Sequence, residues 1–111
     1  LVSDSGRCAG KEEGYQFDLG GQMAEIRGGV AKLVGTETIA CSASNMWACL
    51  RNCICWNVPE EEAVRAASYN PAKALGVHDK IGSIETGKYA DFIITDAAYE
   101  TKRVFIGGKE I

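Results

Sequence analysis

Asp4 is the first residue whose type and position could support chemistry. It closes the apolar start of the stretch LVSDSG, and Gly6 follows two residues later. An apolar run that ends at a carboxylate beside a glycine is typical of a buried parallel strand that delivers a side chain into a site. A carboxylate in that place is a candidate for acid–base catalysis. The alternative from these residues alone is an exposed or helix-capping aspartate.

Three cysteines in one short stretch suggest a second kind of chemistry, the binding of zinc. Cys49, Cys53 and Cys55 follow the pattern C-x-x-x-C-x-C. Cys49 and Cys53 would share a helix face because they are four residues apart. Cys55 would point elsewhere, and no fourth ligand is near in sequence. Packing among the tryptophans and the leucine of the same stretch is therefore favoured over metal binding.

The only histidine, His78, cannot make a catalytic metal site by itself, because such a site needs about three protein ligands. It follows Gly76 and precedes Asp79 and Lys80. This polar setting after a helix end predicts a solvent-exposed loop residue. We therefore expect no metal site and no cofactor within this chain.

The composition is that of one small globular domain, with 111 residues of which 46% are hydrophobic and 24% charged. The net charge of -3 and the scattered basic residues argue against nucleic acid or a membrane as partner. No apolar run reaches the ~20 residues of a membrane span. The five cysteines, an odd number, make a poor disulfide framework. They predict a reducing compartment in which the thiols pack as small hydrophobic groups. Since no signal-peptide pattern is present either, a cytoplasmic address is expected.

The patterning predicts an α/β fold with strands towards both ends and helices between them. Alternation around Gly20–Gly21 predicts a β-hairpin, and apolar spacings of three and four from Ala43 to Trp56 predict an amphipathic helix. A second helix is expected to start at Pro59 and to break at Asn70–Pro71. The other expected elements are a third strand, a short helix that ends on Gly76 and two final strands, in residues 30–35, 71–76, 92–95 and 102–111.

The segment NPAKALGVHDKIGSIETGKYADFIITD, residues 70–96, resembles the one that closes many members of the amidohydrolase superfamily. In that superfamily a helix ends in an NPAxxLG-like stretch, and the pattern G-x-I-x-x-G-x-x-A-D leads into the last strands. The upstream pieces LVSD, YQFDLGGQ, GGVAKL and a G-T…S…M…RN run are similar to the C-terminal part of the N-acetylglucosamine-6-phosphate deacetylase family. The resemblance covers essentially the whole chain.

The resemblance implies that the chain is the C-terminal piece of a metal-dependent (β/α)8 barrel, a fold of ~250 residues. Residues 1–76 would supply the last barrel strand, Leu1–Asp4, then a β-hairpin insertion at about 15–34, and helices. Residues 77–111 would supply strands of a small β-sandwich domain. On this hypothesis the chain is the end of a longer enzyme and is expected to be inactive alone.

The resemblance also implies roles for particular residues. The aspartate that matches Asp4 takes a proton from a water bound to a divalent metal, zinc or similar, and returns it to the leaving amine of an N-acetyl amino-sugar phosphate. Earlier residues of the parent enzyme would hold that metal. Ile39, Ala40 and Cys41 match a short loop that lies against the sugar, with Cys41 in place of a glycine that would allow close backbone approach. The alternative for these three is a strand end with small buried residues.

Other functions remain open. A different amidohydrolase, acting on a cyclic amide or another N-acyl compound, would keep the tail and Asp4 but not the hairpin or the G-T…S…M…RN run. A non-enzymatic module would have to bury its apolar helix faces in a homo-oligomer, because large apolar patches seldom stay open to water. A homo-oligomer is therefore expected. A cysteine-based metal module, which would lose its fold with its ion, is a third hypothesis.

Overall fold

The chain, described over all residues 1–111 by a computed structural model, forms two compact units, Leu1–Asn52 and Cys53–Ile111. The first unit has a four-stranded sheet and the second a three-stranded sheet. The elements in chain order are β1 Gln16–Leu19, β2 Gln22–Arg27, β3 Val30–Leu33, β4 Ile39–Cys41, α1 Met46–Cys55, α2 Glu60–Ala67, α3 Tyr69–Ala74, β5 Phe92–Thr95, β6 Thr101–Ile106 and β7 Lys109–Glu110. The α/β composition predicted from the sequence is confirmed. The domain boundary predicted after residue 76 stays a prediction.

The sheet of the first unit is antiparallel throughout, in the order β1-β2-β3-β4. The predicted hairpin forms around Gly20 and Gly21, whose φ angles are +65° and +90°. Two consecutive positive φ angles suit a tight turn that matches the twist of the strands, and glycine adopts them without strain. Gly28 and Gly29 make the next turn in the same way, and their N–H groups donate to the Glu13 carboxylate at 2.6 and 3.2 Å.

One face of this sheet carries the core of the first unit. Phe17 pairs with Ala24, and Ile26 pairs with Ala31, so the four side chains share one face at adjacent register positions. All four are buried, and Cys8 joins them from the loop before β1 with no exposed surface. The period-two alternation of the sequence therefore places its apolar residues on a single face.

Leu1–Asp4 forms no strand, contrary to the prediction. One parallel bridge joins Ser5 to Ser42 at the end of β4, and Val2 is 80% exposed. The Gly6 N–H donates to the Ser42 carbonyl at 3.0 Å, and the Ser42 N–H donates to the Asp4 carbonyl at 3.2 Å. A buried parallel strand needs a neighbour on each side and cover on both faces. This stretch has a neighbour on one side only, so the pairing stops after one bridge.

The second helix breaks at Ser68, two residues before the predicted position. Ser68 has φ -129° and ψ -74°, and it separates α2 from α3. Its hydroxyl donates to the Val64 carbonyl at 2.7 Å. Pro71 lies in the first turn of α3, where the missing N–H leaves no helical hydrogen bond unmade. The proline therefore lies inside the first turn of the third helix instead of ending the second.

Gly76 ends α3 as predicted. Its φ is +71°, and its N–H donates to the Lys73 carbonyl at 3.1 Å while the Val77 N–H donates to the Ala72 carbonyl at 2.9 Å. These two bonds are the Schellman pattern, which satisfies the last carbonyls of a helix. The chain then leaves the helix through a turn towards the second sheet.

The second sheet has the order β5-β6-β7 and is antiparallel. Phe92 and Phe105 are register partners, and their rings stack with centroids 4.6 Å apart. The stretch 102–111, expected as one final strand, turns at Gly107–Gly108 and forms two short strands. The Gly107 N–H donates to the Asp91 carboxylate at 2.6 Å, which holds this turn against the start of β5.

None of the three helices has the length and apolar character needed to cross a membrane.

Candidate functional site

Asp4 lies on the surface of the first unit, and its backbone is unusual. Its side chain is exposed, and its φ of +50° puts it in the left-handed region. Aspartate and asparagine tolerate that region better than most residues with a side chain. The carbonyl of Asp4 accepts the Ser42 N–H, so the segment that carries the carboxylate is attached to the end of β4.

Ile39, Ala40 and Cys41 form strand β4, where either a short loop or a strand end was expected. Cys41 pairs with Ala31 and Ile39 pairs with Lys32, with an irregular register between the two pairs. Pairing with β3 holds the backbone of these residues in an extended conformation, because β3 supplies hydrogen-bond partners for their N–H and C=O groups. Ile39 is 67% exposed, while Ala40 and Cys41 are half-buried. The bridge at Ser5–Ser42 then brings Asp4 close to Cys41.

The Cys41 thiol has an environment that disfavours its ionised form. Burial is the largest of several causes that raise the pKa of Cys41, and the neighbouring Cys8 thiol and Asp4 carboxylate raise it further. The Gly6 N–H opposes them by stabilising the thiolate. The Sγ atoms of Cys8 and Cys41 are 3.7 Å apart, so the half-buried thiol of Cys41 has a second thiol as its neighbour.

Gly6 leaves the space that the Cys41 side chain occupies. A Cβ atom built on Gly6 would lie 2.3 Å from Cys41 Sγ and 3.3 Å from Cys41 Cβ. The same atom would lie 3.7 Å from Cys8 Sγ. Glycine at position 6 is thus required by the side chain at position 41, and not by a positive φ.

We predict that Gly6→Ala lowers the free energy of unfolding by about 1–3 kcal/mol, because the added methyl group overpacks the contact with Cys41. In the background of Cys41→Gly the same substitution should cost much less, since no side chain remains at position 41 to meet the methyl group. A double-mutant cycle by urea denaturation measures this coupling, which we expect at about 0.5–3 kcal/mol. Equal costs of Gly6→Ala in the two backgrounds would show that the contact is unimportant.

The cysteine and histidine candidates do not converge on a metal site. No group of three or more His, Cys, Asp or Glu side chains in the structure could hold a metal ion. Cys49 and Cys53 are half-buried on α1 and Cys55 is exposed. His78 is exposed in a turn, where its ring makes an edge contact with Tyr69 at 6.1 Å between centroids. The residues present therefore do not fit a catalytic metal.

Sequence reasoning did not predict that Gly6, Cys8 and Ser42 lie beside Asp4 and Cys41. Cys8 and Cys41 are 33 residues apart along the chain, and nothing in either local stretch indicates their contact. The nearest sequence signal was Cys41 itself, because a thiol replaces a glycine of the resembled pattern. A larger side chain at one position calls for a smaller one opposite, which Gly6 supplies.

The sequence profile of the amidohydrolase family matches residues 23–111, so the chain belongs to the amidohydrolase family. It is 36% identical over its whole length to the N-acetylglucosamine-6-phosphate deacetylase of Caenorhabditis elegans, and 31% identical over 98% of its length to that of Vibrio furnissii. The crystal structure of the Pasteurella multocida deacetylase matches 99% of the chain at 28% identity, with a TM-score of 0.88.

These matches confirm the resemblance inferred from the sequence motifs. The chain spans 27% of the length of the two curated relatives and 29% of the Pasteurella multocida chain. Amidohydrolases generally use a divalent metal, and residues 1–111 provide no group that could hold one.

Proposed function

We propose that the protein to which this chain belongs hydrolyses the N-acetyl group of an amino-sugar phosphate, N-acetylglucosamine 6-phosphate, to give acetate and glucosamine 6-phosphate. The observation that carries this proposal is the match of the entire chain to N-acetylglucosamine-6-phosphate deacetylases in sequence and in structure. A match of this extent includes the hairpin unit, which distinguishes the deacetylase hypothesis from other amidohydrolases.

The proposal extends to the fold. Residues 1–76 would be the C-terminal end of a (β/α)8 barrel with the hairpin sheet inserted, and residues 77–111 would be strands of a small β-sandwich domain. The match of 99% of the chain to the crystal structure of the Pasteurella multocida deacetylase supports this assignment.

Within the site, Asp4 would be the acid–base residue. Its carboxylate would accept a proton from the attacking water and then donate it to the amine that leaves the acetyl carbon. Ile39, Ala40 and Cys41 would lie against the sugar, and the bridge beside them keeps this strand next to Asp4. The metal ligands would have to come from outside residues 1–111.

The assay that tests this function compares two proteins with N-acetylglucosamine 6-phosphate as substrate. We predict that the full-length protein containing this chain releases acetate and a free amine in equal amounts, whereas the 111-residue chain releases none. The chain has no group of side chains that could hold a metal ion and spans only part of its relatives' length, so its carboxylate would have no activated water to deprotonate. Hydrolysis of a cyclic amide but not of the sugar phosphate by the full-length protein would favour another amidohydrolase.

A second candidate function is a non-enzymatic module that assembles as a homo-oligomer in a cytoplasmic setting. Large apolar side chains at the surface favour it, with Trp56, Leu75 and Ile84 exposed by 74, 78 and 86%. Analytical ultracentrifugation of the 111-residue chain tests it, because assembly should increase the sedimentation coefficient with concentration. A folded monomer at all concentrations would count against this candidate.

A further inference from the structure

We propose that Cys8 and Cys41 are a redox-active dithiol. A low-molecular-weight disulfide such as oxidised glutathione would oxidise the pair to a reversible intramolecular disulfide. The bond would join the loop before β1 to strand β4, next to Asp4. This proposal does not depend on the deacetylase function, because the covalent bond itself is measured.

The positions of the two sulfur atoms support the bond. They are 3.7 Å apart, whereas a disulfide needs about 2.05 Å, so a side-chain rotation must close the remaining distance. The hydrogen bonds of Ser42 with Asp4 and Gly6 fix the loop against the strand. Gly6 has no side chain, so the Cys41 side chain can occupy the space beside it, close to the Cys8 sulfur. The backbone thus keeps the two thiols together without a bond between them.

The two thiols differ in exposure, which assigns them different roles. Cys41 is half-buried on β4, whereas Cys8 has no exposed surface. A disulfide reagent from solution can therefore reach Cys41 first, and Cys8 can react only with a sulfur already at position 41. Because Cys8 is buried, a second reagent molecule cannot modify it before it reacts with the mixed disulfide at Cys41.

The electron and proton balance is complete with one molecule of the disulfide reagent. The Cys41 thiolate attacks one sulfur of oxidised glutathione, breaks its S–S bond and releases one glutathione thiolate, which takes up a proton. The Cys8 thiolate then attacks the Cys41 sulfur of the mixed disulfide and releases the second glutathione. The protein loses two electrons, and its two thiol protons end on the two glutathione molecules.

The first step should be slow at neutral pH. Burial, the Cys8 thiol and the Asp4 carboxylate all raise the pKa of Cys41, and only the thiolate attacks. The thiolate fraction, and with it the oxidation rate, should rise about tenfold per pH unit below that pKa. The pair would thus respond to sustained oxidation and not to brief exposure.

The test uses the 111-residue chain with Cys49→Ser, because trypsin leaves Cys41 and Cys49 in one peptide, residues 33–51. The folded protein is incubated with oxidised glutathione at pH 8, alkylated and digested. We expect a mass for residues 8–11 linked to residues 33–51, and its loss on treatment with dithiothreitol. Cys53 and Cys55, which remain free on α1, serve as internal controls and should appear alkylated or glutathionylated.

Two variants and one condition separate the outcomes. Cys8→Ala should leave glutathione on Cys41 with no cross-link, and Cys41→Ser should leave Cys8 unmodified while the protein is folded. In guanidinium chloride the preference for the 8–41 bond should disappear, because it depends on the folded backbone. Failure of the folded chain to form the cross-link, or equal cross-linking in denaturant, would overturn the proposal. Neither result would bear on the deacetylase function.

Discussion

Replacing Asp4 with asparagine in the full-length protein is expected to lower kcat for N-acetylglucosamine 6-phosphate by roughly 10²–10⁴-fold, the usual contribution of a positioned acid–base group. Asparagine has the shape of aspartate but neither its charge nor its basicity. It also tolerates a positive φ, so the backbone at φ +50° should be retained. The Ser42 N–H bonds to the carbonyl of residue 4 and not to its side chain, so this link to β4 should survive the substitution.

Asp79→Asn is the matched control. It makes the same change of one exposed carboxylate to an amide, in a turn of the second unit, and should leave kcat and KM within about twofold. Steady-state kinetics and thermal melting of both variants provide the readout. If a folded Asp4→Asn protein keeps more than a tenth of the kcat, Asp4 is not the acid–base residue. The alternative, an exposed aspartate without a catalytic role, would then hold.

The elements that the sequence predicted correctly are those that local patterns decide. The hairpin follows from alternation around Gly20–Gly21, and the end of the third helix follows from Gly76. Both depend on a backbone conformation that glycine adopts without strain. The start of the second helix after Pro59, with three glutamates in its first turn, follows from the helix dipole.

The elements that the sequence predicted wrongly depend on neighbours. Leu1–Asp4 has the composition of a strand but finds only one partner, at Ser42. For Ile39–Cys41 a loop and a strand end were both open, and pairing with β3 decides for the strand. The helix break moved from Asn70–Pro71 to Ser68 because a proline is also compatible with the first turn of a helix.

The candidate site could be predicted only in part for the same reason. A motif can nominate Asp4 and Cys41 one at a time, but the bridge that brings them together is a tertiary contact. Gly6 and Cys8 complete the cluster through side-chain volume. Complementary volumes between distant positions leave no periodic trace in a single sequence.

The largest effect on stability is expected from Gly82→Ala in the second unit. A Cβ atom on Gly82 would lie 2.8 Å from the Ala72 Cβ, 3.1 Å from the Tyr69 Cα and 3.2 Å from the Ser68 carbonyl oxygen. Two of these three atoms belong to the backbone at the junction of α2 and α3, so no side-chain rotation can relieve the clash. The φ of +94° adds a cost of about 1–2 kcal/mol for any residue with a Cβ. With the overpacking cost, the free energy of unfolding should fall by roughly 2–5 kcal/mol.

Gly87→Ala is a control matched in backbone conformation. Gly87 has the same φ of +94°, but a Cβ atom there would meet nothing within 4 Å. Its substitution should therefore show the conformational cost alone, about 1–2 kcal/mol. The difference between the two variants, measured by urea denaturation of the 111-residue chain, isolates the contact of Gly82 with the helix junction. Both glycines occupy the G-x-I-x-x-G pattern of the amidohydrolase segment, so equal effects would mean that turn geometry alone explains them. A larger loss at Gly82 would show that the first glycine packs the chain against the break at Ser68.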